Sequence, residues 1–242
     1  MRDETGLFLV EGIHHVGEAI AAGWEIEAIL YSPDQLKSEF AQGLLRGSAR
    51  REEPVSAEIM GYVTAKENPA GVVAIAQERS PGLRGLGHLS RCVAVVSPQD
   101  PGNLGTILRT MEATGCEVFF LLDGGVDPYH PTTIRAAMGA SFWIPVVRVS
   151  FDSFREWLRE GDFQVIGTSA HAKQDYLELE PAEPWILLLG SEQKGLTADQ
   201  LEACDEVVSL PMRGRASSLN LGVAAGVFLY RFASLRRPNS RR

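Results

Sequence analysis

The chain has 242 residues, 45% of them hydrophobic, more than one small core requires, and a formal charge of −8 from 31 acidic and 23 basic side chains. That balance excludes a uniform electrostatic grip on nucleic acid, which comes from Lys and Arg neutralising phosphates, so any nucleic-acid contact must be locally basic. Cys92, Cys116 and Cys204 have neither metal-ligand spacing nor a CxxC pair, and no apolar run approaches the roughly 20 residues that cross a bilayer; a soluble cytoplasmic protein without a metal is expected.

The first eighty residues alternate short strands and helices. Leu7–Val10 reads as extended, Ile13/Val16/Ile20 as a helix stopped by Gly23, and Ile26–Tyr31 as extended again. Leu36, Phe40 and Leu44 predict another helix, and 71–76 a closing strand, which together make a small α/β domain over 1–78. Pro81, Gly82, Gly85 and Gly87 mark 79–90 as a linker. From 91 to 242 the rhythm is strongly βα, with strands at Cys92–Val96, Val118–Leu122, Ile144–Arg148, Gln164–Thr168, Trp185–Leu189 and Glu206–Leu210. Helices are expected over Gly102–Thr114, Thr132–Met138, Ser153–Glu160, Thr197–Ala203 and Leu219–Phe232. Uninterrupted apolar strands such as Val93–Val96 and Ile186–Leu189 imply a parallel sheet covered on both faces.

Ligands of such sheets sit beyond the carboxyl ends of the strands, which singles out three loops. In Ser97–Arg109, Asn103 occupies the first turn of a helix, whose N-terminus favours an anion, and Arg109 points away from the Leu104/Ile107/Leu108/Met111 stripe. In 190–195, Gly190 permits close approach to the backbone and Glu192 reaches the sheet edge. In 211–220, Arg213 and Arg215 precede Ser218-Leu219-Asn220, with Ser218 a natural N-cap. Each loop alone is compatible with an ordinary strand-to-helix turn. The cationic clusters Arg46/Arg50/Arg51, Arg213/Arg215 and Arg236/Arg237/Arg241/Arg242 are the candidate nucleic-acid patches.

In order, Asp100-Pro101-Gly102-Asn103-Leu104-Gly105-Thr106-Ile107-Leu108-Arg109, then Leu189-Gly190-Ser191-Glu192 with Gly195-Leu196, then Leu210-Pro211-Met212 with Ser218-Leu219-Asn220 and Val223–Gly226 resemble the three motifs of the SpoU (TrmH-like) RNA 2′-O-ribose methyltransferases of the SPOUT superfamily. Leu9-Val10-Glu11-Gly12 and Ile26–Tyr31 resemble that family's ribosomal-protein-like substrate-binding domain, and Gln193 departs from the small residue many members carry after the Glu. The resemblance implies an α/β fold whose C-terminal parallel sheet carries a trefoil knot, a homodimer, and S-adenosylmethionine as methyl donor. It implies Arg109, Asn103, Glu192, Ser218 and Asn220 as catalytic residues, and a cofactor held near Thr168, Leu189, Gly190, Leu210, Met212 and Leu219. Arg109, an awkward base because its pKa exceeds about 12, is assigned to a phosphate flanking the target ribose. Arg213 and Arg215 are assigned to RNA backbone and 1–78 to RNA selection. Large-subunit ribosomal RNA is the expected substrate, with transfer RNA or a non-catalytic RNA-binding role as alternatives. A Rossmann-type enzyme is disfavoured because no strand leads into Gly-x-Gly-x-x-Gly.

Overall fold

Strands apolar on both sides need a cover on each face, and the chain meets that need twice, in two sheets of different size. The computed structural model describes residues 5–36, 39, 41, 43, 49–64 and 70–234. Phe40 and Leu44 of the expected helix, Arg46, and the Arg236/Arg237/Arg241/Arg242 patch lie outside the described residues. The small sheet has the order β1-β4-β2-β3, from β1 (Leu7–Glu11), β2 (Ile26–Tyr31), β3 (Arg51–Pro54) and β4 (Val72–Gln77). With it come α1 (Ile13–Ala21) and α2 (Ala57–Thr64). Strand β3, whose sequence Arg-Glu-Glu-Pro has no apolar signal, and helix α2 escaped the sequence reading; β3 exists because its backbone pairs with β2 at the sheet edge.

The large sheet is parallel throughout, in the order β7-β6-β5-β10-β8-β11-β9. Its strands are β5 (Arg91–Val96), β6 (Val118–Leu122), β7 (Val146–Val149), β8 (Gln164–Thr168), β9 (Gln174–Asp175), β10 (Trp185–Leu189) and β11 (Glu206–Ser209). Its helices are α3 (Pro101–Thr114), α4 (Pro131–Ala137), α5 (Phe151–Leu158), α6 (Ala198–Glu202) and α7 (Leu221–Ser234), with a 3-10 turn at Ala140–Phe142. Alternate residues serve opposite faces: Val93, Val95, Phe119, Leu187 and Leu189 join the core that α3 and α7 cover. Cys92, Ala94, Phe120, Ile186 and Leu188 join the one beneath α5.

Several boundaries move from their expected places for local reasons. Helix α3 starts at Pro101 because the Asp100 carboxylate caps it, accepting from the N–H groups of Gly102 (2.6 Å) and Asn103 (3.0 Å). Helix α5 starts two residues early because Ser150 caps it. Helix α7 starts at Leu221, not Leu219: the cap is Asn220, whose Oδ1 accepts from the Val223 N–H at 3.2 Å, and Ser218 is not the cap.

The segment expected to be a linker is not a free spacer. Leu83, Leu86 and Leu89 lie against the core beneath α5, and the two sheets share a third core. There Phe8, Val16 and Trp24 meet Tyr129, Ile134 and Phe142. Trp24 Nε1 donates to the Phe142 carbonyl (2.9 Å), Trp143 Nε1 to Glu18 (2.7 Å), and the Tyr129 hydroxyl to the Arg79 carbonyl (2.5 Å). A polar group buried at an apolar seam needs such a partner, and the buried Trp24 indole finds one.

Candidate active site

Parallel strands release their chains at one edge, so the loops after β5, β8, β10 and β11 gather there. β5, β6 and β7 lie on one side of the β5/β10 boundary and β8 to β11 on the other, which makes that boundary the point where strand order reverses. A cavity of about 780 Å³ opens at this place, a size within the roughly 300–1,000 Å³ of small-molecule sites.

All six residues expected near a cofactor, Thr168, Leu189, Gly190, Leu210, Met212 and Leu219, line this cavity, and so do Asn103, Glu192, Ser218 and Asn220. Its inner wall is apolar, with Val208, Ala224 and Phe228 added by β11 and α7. Gly190 is required: a Cβ there would stand 2.1 Å from the Gly195 carbonyl carbon, because the 190–195 loop folds back on its own start.

One hydrogen-bonded relay joins the three loops. The Glu192 carboxylate accepts from the backbone N–H of Gln99 (3.0 Å), from that of Asp100 (3.4 Å) and from Asn103 Nδ2 (3.3 Å). Asn220 Nδ2 donates to Asn103 Oδ1 at 2.8 Å, and Asn220 Oδ1 caps α7. A carboxylate only accepts, so Glu192 turns the Asn103 amide nitrogen toward itself and its oxygen toward Asn220, which fixes the Asn220 amide in turn. The expectation that the N-terminus of α3 awaits an external anion is corrected here. Its donors face Asp100, and the N–H groups just before it face Glu192, so the protein's own carboxylates occupy the place an anion would take.

Arg109 is exposed on α3, about 9 Å along the helix axis from Asn103 at 1.5 Å per residue, and lies outside the cavity lining. It has no ion-pair partner among the described residues. Arg213 and Arg215 share that state, exposed on the loop after β11, so their charges are available. Thr106 and Thr110, on the flank of α3 next to Arg109, meet the two glycines of α7: a Cβ on Gly222 would stand 3.1 Å from the Thr106 methyl, and one on Gly226 4.0 Å from that of Thr110. Small residues thus bring α7 against the helix that carries Asn103 and Arg109.

The sequence reading missed Ser169, Ala170 and His171, which line the cavity beyond β8, and Gln99, whose N–H anchors Glu192. The signal for the first three was present, because the carboxyl-edge rule applies to β8 as to its neighbours. Burial pushes the Cys116 thiol up to about 11 and that of Cys204 up to about 12, so both are neutral thiols packed as small apolar groups.

Comparison with known proteins agrees with this geometry. The profile of the SpoU rRNA Methylase family matches residues 90–230, and that of the MRM3-like substrate binding domain matches residues 1–74. The chain is 32% identical over 230 residues, 95% of its length and 89% of the relative's, to the 23S rRNA (guanosine(2553)-2′-O)-methyltransferase RlmP of Bacillus subtilis. It is 30% identical over 238 residues, 95% of its length and 83% of the relative's, to the 23S rRNA (uridine(2479)-2′-O)-methyltransferase of Streptomyces viridochromogenes. The AdoMet-bound rRNA methyltransferase of Sinorhizobium meliloti superposes with a TM-score of 0.86 at 34% identity, over 96% of this chain and 89% of that one.

Proposed function

Because the chain belongs to the SpoU rRNA methylase family, we propose that it transfers a methyl group from S-adenosylmethionine to a ribose 2′-hydroxyl of large-subunit ribosomal RNA. The observation that carries the reading is the convergence of three motif loops, far apart in sequence, on one cavity of suitable size through the Glu192–Asn103–Asn220 relay. The two relatives modify a guanosine and a uridine at different positions, which supports the RNA class and leaves the nucleotide to be identified.

The residues present fit the cofactor. Leu189, Leu210, Met212 and Leu219 offer apolar contact, Thr168 a hydroxyl, and Gly190 main-chain atoms on the cavity wall. When bound, S-adenosylmethionine supplies a methyl group on a sulfonium that is already a good leaving group. The protein's task is therefore to align the acceptor oxygen and accommodate its proton. In this reading Arg109 pairs with the phosphate flanking the target ribose and holds the 2′-hydroxyl in line. Asn103, Ser218 and Asn220 present hydrogen-bonding groups to ribose and cofactor. Glu192 acts by positioning them, since its oxygens are already committed to three donors. Arg213 and Arg215 hold RNA backbone, and residues 1–78 select the RNA while 91–242 carry the chemistry. The C-terminal sheet is knotted, as the family resemblance implies.

A homodimer belongs to the same proposal. Val223 and Tyr230 on α7, with Leu219 before it, are exposed apolar side chains flanking the site, a surface that a second copy would cover. Among the described residues no helix is long and apolar enough to cross a membrane, which accords with action on ribosomal RNA in the cytoplasm. Mapping 2′-O-methyl positions in RNA from strains with and without the gene tests the function. One ribose of the large-subunit RNA should lose its methyl group; loss at a transfer RNA position alone would overturn the substrate assignment.

A further inference from the structure

Two side chains that line the large cavity have no task in the mechanism above, Gln193 and Lys194. Both sit on the turn between β10 and α6. The turn is closed at its base, where Ser191 pairs with Gly195 across an antiparallel bridge and the Gly195 N–H donates to the Ser191 carbonyl at 2.9 Å. The Lys194 N–H donates to the Ser191 hydroxyl at 3.3 Å, and the Glu192 carboxylate is tied to the start of α3. A turn pinned at its base and at one shoulder presents its apex, Gln193 and Lys194, at a fixed place. The cavity they line has two unlike ends. Leu189, Val208 and Phe228 are at most 2% exposed and form its floor, whereas Gln193 and Lys194 are exposed and form part of its rim. Neither of the two side chains has a hydrogen-bond or ion-pair partner among the described residues, and Lys194 is the only lysine or arginine among the described residues lining the cavity. The Asn103 and Asn220 amides, by contrast, are engaged with each other, and Asn103 also with Glu192.

Resting on the reading of this chain as an RNA methyltransferase, we propose that the apex of this turn grips the acceptor nucleotide: the Gln193 amide hydrogen-bonds to the edge of the base whose ribose is methylated, and Lys194 pairs with a phosphate of the same strand. The apolar floor takes the cofactor, so the acceptor strand has to cross the exposed rim to reach it. The 2′-oxygen is carried by the carbon next to the glycosidic carbon, so a ribose presented to the cavity brings its own base to the rim. Every base has a donor and an acceptor side by side on its Watson–Crick edge, and RNA recognition uses that edge where the base is unpaired. An amide offers the same pair, one N–H donor group beside one carbonyl acceptor, and that of Gln193 is uncommitted within the protein. Because the amide turns to suit either order of donor and acceptor, it holds any base without choosing among them, and selection of the RNA stays with residues 1–78. Lys194, a compact charge with rotatable donors, suits a phosphate as a point contact. With Arg109 on α3 on one side of the reacting ribose and Lys194 on the 190–195 turn, the strand would be held from two loops.

The test compares the full chain with Gln193→Ala and Lys194→Ala, on transcribed large-subunit RNA and on a synthetic fragment around the methylated ribose, made with and without the base on that ribose. Both side chains are exposed and unpartnered among the described residues, so the variants should melt with the wild type. Calorimetry should find S-adenosylhomocysteine bound equally by all three proteins. Lys194→Ala should lower the slope of log K for RNA against log salt by about 1, the loss of one phosphate contact. Gln193→Ala should leave that slope alone and raise KM for the intact fragment about fivefold, the effect of one neutral hydrogen bond. On the fragment lacking the base, Gln193→Ala and wild type should have the same KM, a result that a merely structural role of Gln193 would not produce. A KM penalty of equal size on both fragments would overturn the base contact. Weaker S-adenosylhomocysteine binding by Lys194→Ala would overturn the phosphate contact and place the ammonium on the cofactor's carboxylate. Variants that match the wild type in every measurement would overturn the whole proposal. Failure of the wild type to bind S-adenosylhomocysteine or to methylate the transcript would instead defeat the methyltransferase reading on which this one rests.

Discussion

Replacing Glu192 separates a positioning role from a proton-accepting one. Its carboxylate accepts from two backbone N–H groups and the Asn103 amide, at 3.0 to 3.4 Å, in a loop open to solvent. Hydrogen bonds to a charged group contribute about 1.5–3 kcal/mol when buried, and water can replace these, so Glu192→Ala should cost only about 1–2 kcal/mol of stability. Turnover should suffer more. Without the carboxylate the Asn103 amide nitrogen loses its partner and the pair is held only through the Asn220 cap, and a misplacement of about 1 Å in a reacting geometry costs on the order of 100-fold. Glu192→Gln keeps an acceptor oxygen at the same place and should retain turnover within about tenfold of wild type. Single-turnover methylation of the cognate RNA, measured for both variants between pH 6 and 9 alongside calorimetric binding of S-adenosylhomocysteine, decides the matter. If Gln were as inactive as Ala while still folding and binding the cofactor product, Glu192 would be taking the proton and the positioning argument would fail.

Arg109→Ala should fold and bind S-adenosylhomocysteine normally, because the side chain is exposed and unpaired among the described residues, but it should lose most methyl transfer; wild-type turnover would remove Arg109 from the site. Replacing both Arg213 and Arg215 by Ala should weaken binding to all RNAs alike and lower the slope of log K against log salt by about 2, one for each phosphate left without its arginine. A specificity change at constant salt slope would contradict that assignment. Truncation at residue 80 should destabilise the remainder, since Tyr129, Ile134 and Phe142 lose their cover and each buried side chain of this size is worth about 1.5–3 kcal/mol. A fragment melting at the full-length temperature would show that the shared core contributes little.

Much of the architecture was legible because it is local. Runs such as Ile186–Leu189 can only be strands buried on both faces, and Asp100-Pro101 starts a helix wherever it occurs before an apolar stripe. The carboxyl-edge rule then turned strand ends into candidate loops, and all but the surface arginines among the expected site residues line one cavity. What stayed hidden depends on partners distant in the chain. Ser218 and Asn220 are equally good caps by propensity, and Asn220 takes the role because its amide is also held by Asn103, 117 residues earlier. The N-terminus of α3 reads as an open anion site, yet its own cap Asp100 fills it locally, and Glu192, 89 residues from Asn103, adds a second carboxylate that only folding brings there. The Gly- and Pro-containing stretch 79–90 has a linker's composition, yet its leucines lie on a sheet that exists only after folding. The bond from Trp24 to Phe142 spans 118 residues. Periodicity reports which face of an element is apolar and is silent on what covers that face, so the seam between the two sheets was decided by tertiary packing alone.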